Sequence, residues 1–575
     1  MLPNLPEILL YLFLGVAIQL IGSLMRRKSK KWGVTAEAAT ALLAVGFNFY
    51  HHGFLDGFIY IAFLSSGWMA WLTLTGGEAK YRELKQELKS VEVEQVVVTR
   101  KAARILLDIG FALLVFAGAV LFLLFGPETS PLKLIIAFGM LSAVTIMIKR
   151  LATYQGIRIY YSDANGCLYL LSRLNARKFP VKDLESMRIE STVDILKLHP
   201  FFTLFTANSD FTTSFQQVLR LQFPGEAVYL TIDETEQWRT RLAGHMTEGK
   251  QTEERVEVLP FYHRNNIKRM LGKLYFAMTV KGISAYTGIV LLLYLLHAPV
   301  WLMLVFAVSY WLFNLYISDH VLKIAMDARE THDTEVIAAA RRVFARAGIP
   351  DVKVFETESA HYNGLATGMN IGRSMVTLTT ATLKLPIEVI EGILAHEAVH
   401  VRKRDVMWGQ MAKAVLLLVY LAIILLIIDQ VTDIEAIMMP LFLLIWLLMI
   451  LFPVYQSFYS QWMEVRADHL GASFLEGGAE QMADSLTVLA TRQDEDMQKN
   501  IEYSEAANER KVKESSLDRS PWWLRLMEFQ FMPHPPMYWR VQVLKTHQLQ
   551  WGKAASKLWF IARWKESFLP KERAR

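Results

Sequence analysis

Long apolar runs constrain this chain more than any other feature of its sequence. Hydrophobic residues make up 53% of its 575 residues and charged residues only 20%, which is typical of an integral membrane protein. Nine segments approach or reach the roughly 20 mostly apolar residues that a helix needs to cross a bilayer. They are residues 8–25, 36–50, 58–75, 105–125, 132–148, 276–296, 299–318, 408–428 and 435–456. The sequence therefore predicts a mainly α-helical, polytopic membrane protein with about nine transmembrane helices.

Two of the nine segments are less regular than the others. The most N-terminal segment also needs to be distinguished from a signal peptide. The segment 36–50 is short and contains Glu37, and Lys281 in 276–296 has to reach an interface or lie inside the helix bundle. The basic residues of 26–31 follow the first apolar run instead of preceding it. We therefore interpret that run as a retained first span.

Lysine and arginine are distributed unevenly between the predicted loops. Apart from the cluster after the first span, almost all of them lie in residues 77–104, 149–273, 319–406 and 457–575. Short loops rich in these residues stay in the cytoplasm, so nine spans predict an amino terminus outside a bacterial cell membrane and all large polar segments inside. The one cysteine, Cys167, excludes an intrachain disulfide and a Cys-based metal site, and it fits a reducing compartment.

The polar and apolar segments predict four regions. They are an N-terminal membrane region of about five spans, a cytoplasmic β-rich domain, a membrane hairpin, and a C-terminal α+β domain that a second hairpin, 408–456, interrupts; these are residues 1–150, 151–250, 270–318 and 319–575. The β-rich domain combines strand patterns, turn signals and a closing helix. This pattern resembles the pleckstrin-homology-like barrels of bacterial membrane proteins, and a small β domain of another topology fits it equally well.

The run AHEAVH contains two histidines at helical spacing. Because residues four apart lie on one face of an α-helix, His396 and His400 can share one metal ion, and zinc is the usual metal for such a pair. Glu397 lies next to the first histidine, where it can take a proton from an activated water molecule. A surface helix that carries HExxH by chance is the alternative, so the motif needs a third ligand to support it.

An acidic residue can supply that third ligand. Glu464 and Asp468 follow the last predicted span and are four residues apart, so a helix would place them on one face. Glu464 can bind the metal, while Asp468 can orient a ligating histidine through its free ring nitrogen. A solvent-exposed helix face is the alternative, but these residues leave the membrane on the same side as His396 and His400.

Five motifs in one order resemble peptidase family 48, which comprises membrane zinc endopeptidases such as HtpX and the CAAX prenyl protease. They are NGLATG (363–368), GRSMVTLTT (372–380), AHEAVHVRKRD (395–405), EVRADHLGA (464–472) and HPPMYWRVQVL (534–544). The resemblance covers roughly 335–548 and implies a zincin-like domain with one Zn²⁺. It departs from the family pattern at Val399 and at Gly364-Leu365, which could change the shape of the cleft.

The resemblance also implies roles for individual residues. His396, His400 and Glu464 would be the ligands, Glu397 the general base and Asp468 the partner of a ligating histidine. His534 would stabilise the oxyanion and Arg540 would brace the site. A cleft for an extended substrate strand would be lined by Asn363, Gly372, Arg373, Ser374, Met375 and Val376.

The function that follows is a zinc-dependent endopeptidase with a cytoplasmic active site, acting on peptide or membrane-protein substrates in protein quality control. The basic residues 402–404 would meet anionic lipid or simply fix the orientation of the next span. Three alternatives remain: a prenyl-protein protease, a signalling protease of the antirepressor-sensor type, and an inactive membrane scaffold. The sequence predicts no nucleic-acid partner and does not specify an oligomeric state.

Overall fold

A computed structural model of the protein describes most of residues 5–568. The parts of this range that lie outside the described residues are 27, 126–131, 200–201, 204–207, 247–250, 253–254, 261, 282–292, 294–295, 368–373, 431–433, 508, 511–513 and 548–549. Most of the predicted span 276–296 and the site residues Gly372 and Arg373 therefore lie outside the described residues.

Helices dominate the described residues. They are α1 (Leu5–Arg26), α2 (Lys30–Thr75), α3 (Glu78–Glu87), α4 (Ala102–Phe125), α5 (Leu132–Gly156), α6 (Ile195–Leu198), α7 (Thr235–Ala243), α8 (Arg264–Phe276), α9 (Val300–Ala325), α10 (Thr334–Ala347), α11 (Ile387–Lys403), α12 (Asp405–Asp429), α13 (Ile434–Ala472), α14 (Gly478–Ser504), α15 (Trp522–Phe531), α16 (Met537–His547) and α17 (Lys553–Phe568).

Thirteen short strands form three sheets among the residues that the structure describes. The strands are β1 (Glu94–Val96), β2 (Arg158–Ser162), β3 (Cys167–Ser172), β4 (Asn175–Pro180), β5 (Ser186–Glu190), β6 (Asn208–Phe211), β7 (Val218–Phe223), β8 (Glu226–Leu230), β9 (Gln251–Thr252), β10 (Arg329–Glu330), β11 (Lys353–Thr357), β12 (Gly364–Thr367) and β13 (Met375–Thr379). Their orders are β1-β2-β3-β4, β6-β8-β7-β5-β9 and β10-β11-β13-β12.

Three helices of the described residues are long and apolar enough to cross a membrane: Pro6–Arg26, Ala102–Phe122 and Trp301–Ala325. These segments contain or overlap three of the nine predicted spans. The predicted spans 36–50 and 58–75 lie within α2, which bends where Gly53 adopts a φ of 74°. A positive φ costs glycine little because it has no Cβ, so this residue supplies the bend between the two halves.

The β-rich domain packs the first two sheets around one core. Trp238 and Leu242 of α7 are buried in this core together with strand residues of both sheets, and strand β9, which follows this helix in sequence, pairs with β5. Strand β1 precedes the α4–α5 hairpin in sequence but pairs antiparallel with β2, with Glu94 opposite Tyr161. The β-rich domain therefore includes a strand from residues 77–104, which the pattern did not assign to it.

The C-terminal domain packs helices against the third sheet. Helix α11 begins after Pro386, whose fixed backbone suits a helix start, and ends at Arg404, which adopts a left-handed conformation with a φ of 55°. Its apolar face lies in a core shared with α10, α14 and β13. Helix α13 continues without interruption from the predicted span 435–456 to Ala472. Because an α-helix rises 1.5 Å per residue, Glu464 lies about 12 Å beyond the predicted span.

Candidate metal centre

Two imidazoles of α11 face each other across one helical turn. The Nε2 atoms of His396 and His400 are 3.1 Å apart, as the i, i+4 spacing predicts. His396 is only 9% exposed. Helix α11 is rigidly placed because its residues from Val389 to Val399 are almost all buried. The pair therefore presents two nitrogen donors from a fixed backbone.

Helix α13 brings a carboxylate to the same point. Glu464 places Oε2 3.3 Å from His396 Nε2 and Oε1 3.4 Å from His400 Nε2. Zinc held tetrahedrally at about 2.0–2.2 Å requires ligand atoms roughly 3.3–3.5 Å apart. The three side chains are also the one group of at least three histidine, cysteine or acidic residues, among those described, whose ligand atoms all lie within 4.8 Å of one another. The donor set therefore fits one zinc ion.

Each histidine is oriented by its own carboxylate. His396 Nδ1 lies 2.9 Å from Asp468 Oδ1, and His400 Nδ1 lies 2.8 Å from Asp405 Oδ2. Both carboxylates are buried, with exposures of 2% for Asp468 and 3% for Asp405. Such contacts fix the tautomer of a ligating histidine and leave Nε2 free for the metal. Asp468 lies next to His396, where its predicted role would place it, whereas the sequence analysis assigned no role to Asp405.

The turn after α11 explains the position of Asp405. The left-handed backbone of Arg404 reverses the chain, so Asp405 points back to the last turn of the helix that carries His400. Arg466 of α13 forms an ion pair with Asp405 on the other side and stacks over Trp462 with 4.5 Å between its guanidinium carbon and the ring centroid. In the sequence, the one feature that could have indicated this contact is an aspartate five residues after the second histidine.

The charged groups of the site shift one another's pKa values. Burial alone would lower the pKa of His396, but contacts with Asp468 and Glu464 raise it to about 9. Burial alone would raise the pKa of Asp468, but Arg540 lowers it to about 2. The pKa of Glu464 is held well below its usual range, against the effect of burial, chiefly by His534 and His396. Because a metal requires neutral imidazoles, its binding would displace protons from this cluster.

Glu397 contacts the edge of the third sheet. Its Oε2 accepts a hydrogen bond of 2.7 Å from the backbone N–H of Ala366 in β12, and the residue is 8% exposed. It lies on α11 directly after His396, so its carboxylate borders both the ligand triangle and the edge strand. A hypothetical Cβ on Gly364 would lie 3.3 Å from Glu397 Oε1, so the strand approaches the helix closely here.

His534 and Arg540 both contact the ligand shell. His534 Nδ1 lies 2.9 Å from Glu464 Oε2, although its side chain is 62% exposed. Arg540 donates to both carboxylate oxygens of Asp468, at 2.8 Å from Nε and 2.6 Å from one terminal nitrogen. This bidentate contact is geometrically specific. Arg540, Asp468 and His396 therefore form one continuous chain of contacts behind the His396 ring.

The strand that was expected to line the substrate cleft lies inside the sheet instead of at its edge. Met375 and Val376 belong to β13, which pairs with β11 on one side and β12 on the other, and both are buried. Ser374 directly precedes this strand. A strand with two partners has no free backbone groups for a third, so among the described residues β12 provides the edge instead. Asn363 does line the cleft, together with β12, the ligands and residues at the base of the α12–α13 hairpin.

This cleft has a volume of about 590 Å³, within the usual range for small-molecule and cofactor sites. Its walls include Gly409 and Lys413 of α12 and Tyr455 of α13. The ligand triangle therefore opens toward the two helices that carry the predicted membrane hairpin.

Comparisons with known proteins agree with this geometry. Residues 330–548 match the family described as Peptidase family M48, and residues 158–246 match the Bacterial PH domain family. The second match lies within the β-rich domain.

Curated relatives include proteins named Protease HtpX homolog. The one from Pelotomaculum thermopropionicum is 36% identical over 107 residues, which are 18% of this chain and 38% of the relative. The one from Ralstonia pickettii is 33% identical over 110 residues, with the same two shares. The one from Campylobacter curvus is 36% identical over 104 residues, 17% of this chain and 36% of the relative.

These alignments thus span less than half the length of the relatives. The described match to Peptidase family M48 and the similarity to HtpX homologues therefore point to the same family of proteins. The resemblance expected from the sequence agrees with these matches: residues 330–548 are similar to peptidase family M48.

Proposed function

We propose that the protein is an integral-membrane, zinc-dependent endopeptidase whose active site faces the cytoplasm. The observation that carries this proposal is the convergence of His396, His400 and Glu464. The two Nε2 atoms are 3.1 Å apart, and each lies 3.3–3.4 Å from a different oxygen of the Glu464 carboxylate, an arrangement that suits one zinc ion. The carboxylates that contact both histidines, together with the adjacent Glu397, suit a catalytic metal site better than a structural one. A structural zinc site closes all four positions with protein ligands, whereas three candidate ligands converge here among the residues that the structure describes.

A bound zinc ion would supply Lewis acidity and lower the pKa of a water molecule. Glu397 would accept the proton of that water at its carboxylate and pass it to the leaving amine. To do so it would exchange its hydrogen bond to the Ala366 N–H for one to water. An extended substrate could then pair with the edge of β12, and His534 could donate to the oxyanion.

The position of the cleft supports membrane proteins as substrates. Its lining extends to the base of the α12–α13 hairpin, and α13 carries Glu464 on the same continuous helix as a predicted span. Cytosolic loops and ends of other membrane proteins would meet the site at this level. A role in protein quality control is our proposal on this ground and on the similarity to HtpX homologues.

The variant Glu397→Gln tests the mechanism. It keeps the size of the side chain and its hydrogen-bonding capacity but removes the base. We expect zinc content equal to that of the parent and proteolysis reduced by at least about a hundredfold, measured on an unfolded model substrate. Equal proteolysis in the variant would reject Glu397 as the base, and absence of zinc from the purified parent would reject the metalloenzyme.

The orientation has a separate test. In a Cys167→Ser background, the exposed Lys403 next to the site can be replaced by cysteine, and Leu2 in a second variant. The proposal expects a membrane-impermeant maleimide to label the residue 2 variant in intact cells and the residue 403 variant only after permeabilisation. The opposite pattern would place the site outside.

A further inference from the structure

A carboxylate of the C-terminal domain inserts among basic side chains of the β-rich domain. Glu358 directly follows β11, and Arg188 of β5 lies 2.8 Å from its Oε1 and 2.9 Å from its Oε2. Arg220 of β7 lies 2.7 Å from Oε1, and Lys197 of α6 pairs with Oε2. We call Arg188, Lys197 and Arg220 the basic cradle.

The basic cradle is an unfavourable arrangement unless an anion occupies it. Arg188 and Arg220 are directly opposite each other on adjacent antiparallel strands, and like charges in this position repel. Their side chains are only 12% and 5% exposed, so water screens the repulsion weakly. The strands therefore tolerate two opposed arginines because a negative group lies between them.

The negative groups in the structure satisfy the basic cradle only in part. Glu190 pairs with Arg188 at 2.6 Å, and with Glu358 it leaves three cations facing two carboxylates. The second oxygen of Glu190, Oε2, is buried without a hydrogen-bond partner. Burial alone would raise the pKa of Glu358, but Lys197, Arg220 and Arg188 lower it far below its usual range. Among the described residues, the basic cradle thus holds three cations against these two carboxylates, and Arg220 also donates to the neutral oxygens of Gln222 and Tyr229.

A large cavity gives access to the basic cradle. Its volume is about 920 Å³, and its lining includes all three basic cradle residues and Glu358. Lys323 and Ala325, at the end of α9, lie in the same lining. Helix α9 contains one of the helices that could cross a membrane, Trp301–Ala325. The cavity therefore lies where a membrane span ends, within reach of soluble anions and of lipid headgroups.

We propose that the basic cradle is a binding site for a phosphomonoester and that Glu358 occupies it when no phosphomonoester is bound. A phosphomonoester carries −1.5 to −2 charges near pH 7 and has three acceptor oxygens. It therefore matches three convergent basic side chains better than a carboxylate with two oxygens and one charge. Glu358 remains a competitor because it is tethered to the same chain, at an effective concentration in the millimolar range.

Calorimetric titration with inorganic phosphate tests this competition. The full chain is reconstituted in phosphatidylcholine nanodiscs, and Glu358→Gln is compared with the parent. Removal of the tethered competitor should tighten phosphate binding by about tenfold or more. The matched control is Glu330→Gln, because Glu330 pairs with Lys353 at the exposed edge of the same sheet and does not line the cavity. It should bind phosphate as the parent does.

Two further variants exclude a general effect of charge. Lys197→Gln should remove the weak binding of the parent, and Lys197→Gln combined with Glu358→Gln should lose the gain of the single variant. The proposal fails if Glu358→Gln binds phosphate no more tightly than Glu330→Gln, or if the double variant binds as tightly as Glu358→Gln. Should Glu358→Gln not fold, equal binding by Lys197→Gln and the parent would overturn the proposal by itself.

The lipid composition of the nanodiscs distinguishes the two sources of a phosphomonoester. Phosphatidic acid exposes a phosphomonoester, whereas phosphatidylglycerol exposes a diester with one charge. If the site takes a headgroup, phosphatidic acid should abolish the phosphate signal of Glu358→Gln and phosphatidylglycerol should leave it. If the signal survives in both, the ligand is a soluble phosphomonoester.

Discussion

At the scale of single residues, the contact between Asp405 and His400 leads to the most specific prediction about the metal centre. Its carboxylate lies 2.8 Å from His400 Nδ1, so Asp405→Ala should leave that imidazole free to rotate. We expect the affinity for zinc to fall by about 10–100-fold, measured by competition with a chelator. The control is Asp351→Ala, at an exposed position of the same domain. Equal affinity in Asp405→Ala and the control would show that His400 is oriented by other contacts.

The raised pKa of Asp496 leads us to expect that the free energy of unfolding depends on pH. Burial, followed by the nearby Glu185, raises its pKa to about 7, against about 3.9 in an unfolded chain. The folded state therefore holds this proton more tightly, and stability falls as the pH rises from about 4 to about 7. Asp496→Asn should remove that loss. After screening by solvent it should stabilise the protein by about 1 kcal/mol at pH 8 and by little at pH 4, measured by thermal unfolding. A gain that does not depend on pH would contradict this account.

The spacing of the sequence predicts the ligands but not all of their supports. His396 and His400 are recognisable because helical periodicity places them on one face, and Glu464 because it follows the last predicted span and because of the resemblance to peptidase family 48. Asp405 is not, because its position depends on the left-handed turn at Arg404, which a sequence pattern does not specify at a residue other than glycine. Met375 was expected at the cleft, and strand order, which sequence alone does not give, places it inside the sheet.

At the scale of elements, the closest helix contact near the site joins α11 to α14. A Cβ built on Gly392 would lie 2.5 Å from the Cβ of Ser485, so Gly392→Ala must push the helices apart. We expect a loss of about 1–3 kcal/mol in the free energy of unfolding, measured by thermal denaturation in detergent. Gly156→Ala is the control, since a Cβ there meets nothing within 4 Å. Equal melting temperatures would show that the helices tolerate the added methyl group.

Whether a segment forms a helix or a strand can be predicted from sequence more readily than which segments pair with each other. Helix α11, which starts after Pro386, and strands β11 and β13 have local sequence features typical of their type, because proline and β-branched residues act locally. The pairing of β1 with β2 was not predictable, since the α4–α5 hairpin separates them in sequence. Long-range pairing depends on tertiary packing, which periodicity does not encode.

At the scale of the whole molecule, α14 joins the two domains. Its start packs in the core of the C-terminal domain through Met482, and Tyr503 near its end is buried in the core of the β-rich domain. The ring of Tyr503 lies 4.9 Å from that of Phe179, and its hydroxyl donates a hydrogen bond of 3.1 Å to Asp183. The two cores are therefore connected by one rigid helix.

This connection predicts coupled unfolding. Tyr503→Ala should destabilise the β-rich domain by about 3–5 kcal/mol and separate one thermal transition into two, as observed by differential scanning calorimetry. Tyr503→Phe should retain the packing and cost only about 1 kcal/mol for the hydrogen bond. Tyr262, which is 78% exposed, provides the control Tyr262→Ala. A single unshifted transition in Tyr503→Ala would exclude the coupling.

The sequence predicts an order of regions along the chain, whereas it does not predict how the described regions contact one another. Apolar runs separate the polar segments clearly, and the return of Glu464 after a hairpin follows from the count of spans. The insertion of Glu358 into the β-rich domain and the shared helix α14 depend on contacts between segments more than 100 residues apart. Such contacts leave no periodic signal in either segment.

The most direct test of the whole account is the zinc content of Glu464→Gln compared with that of the parent and of Glu397→Gln. All three chains would be purified together and exposed to the same chelator before elemental analysis. The account predicts one zinc per chain in the parent and in Glu397→Gln, and loss of zinc from Glu464→Gln, because an amide replaces the anionic ligand. Retention of zinc by Glu464→Gln at the level of the parent would contradict the convergence of α11 and α13 on one ion.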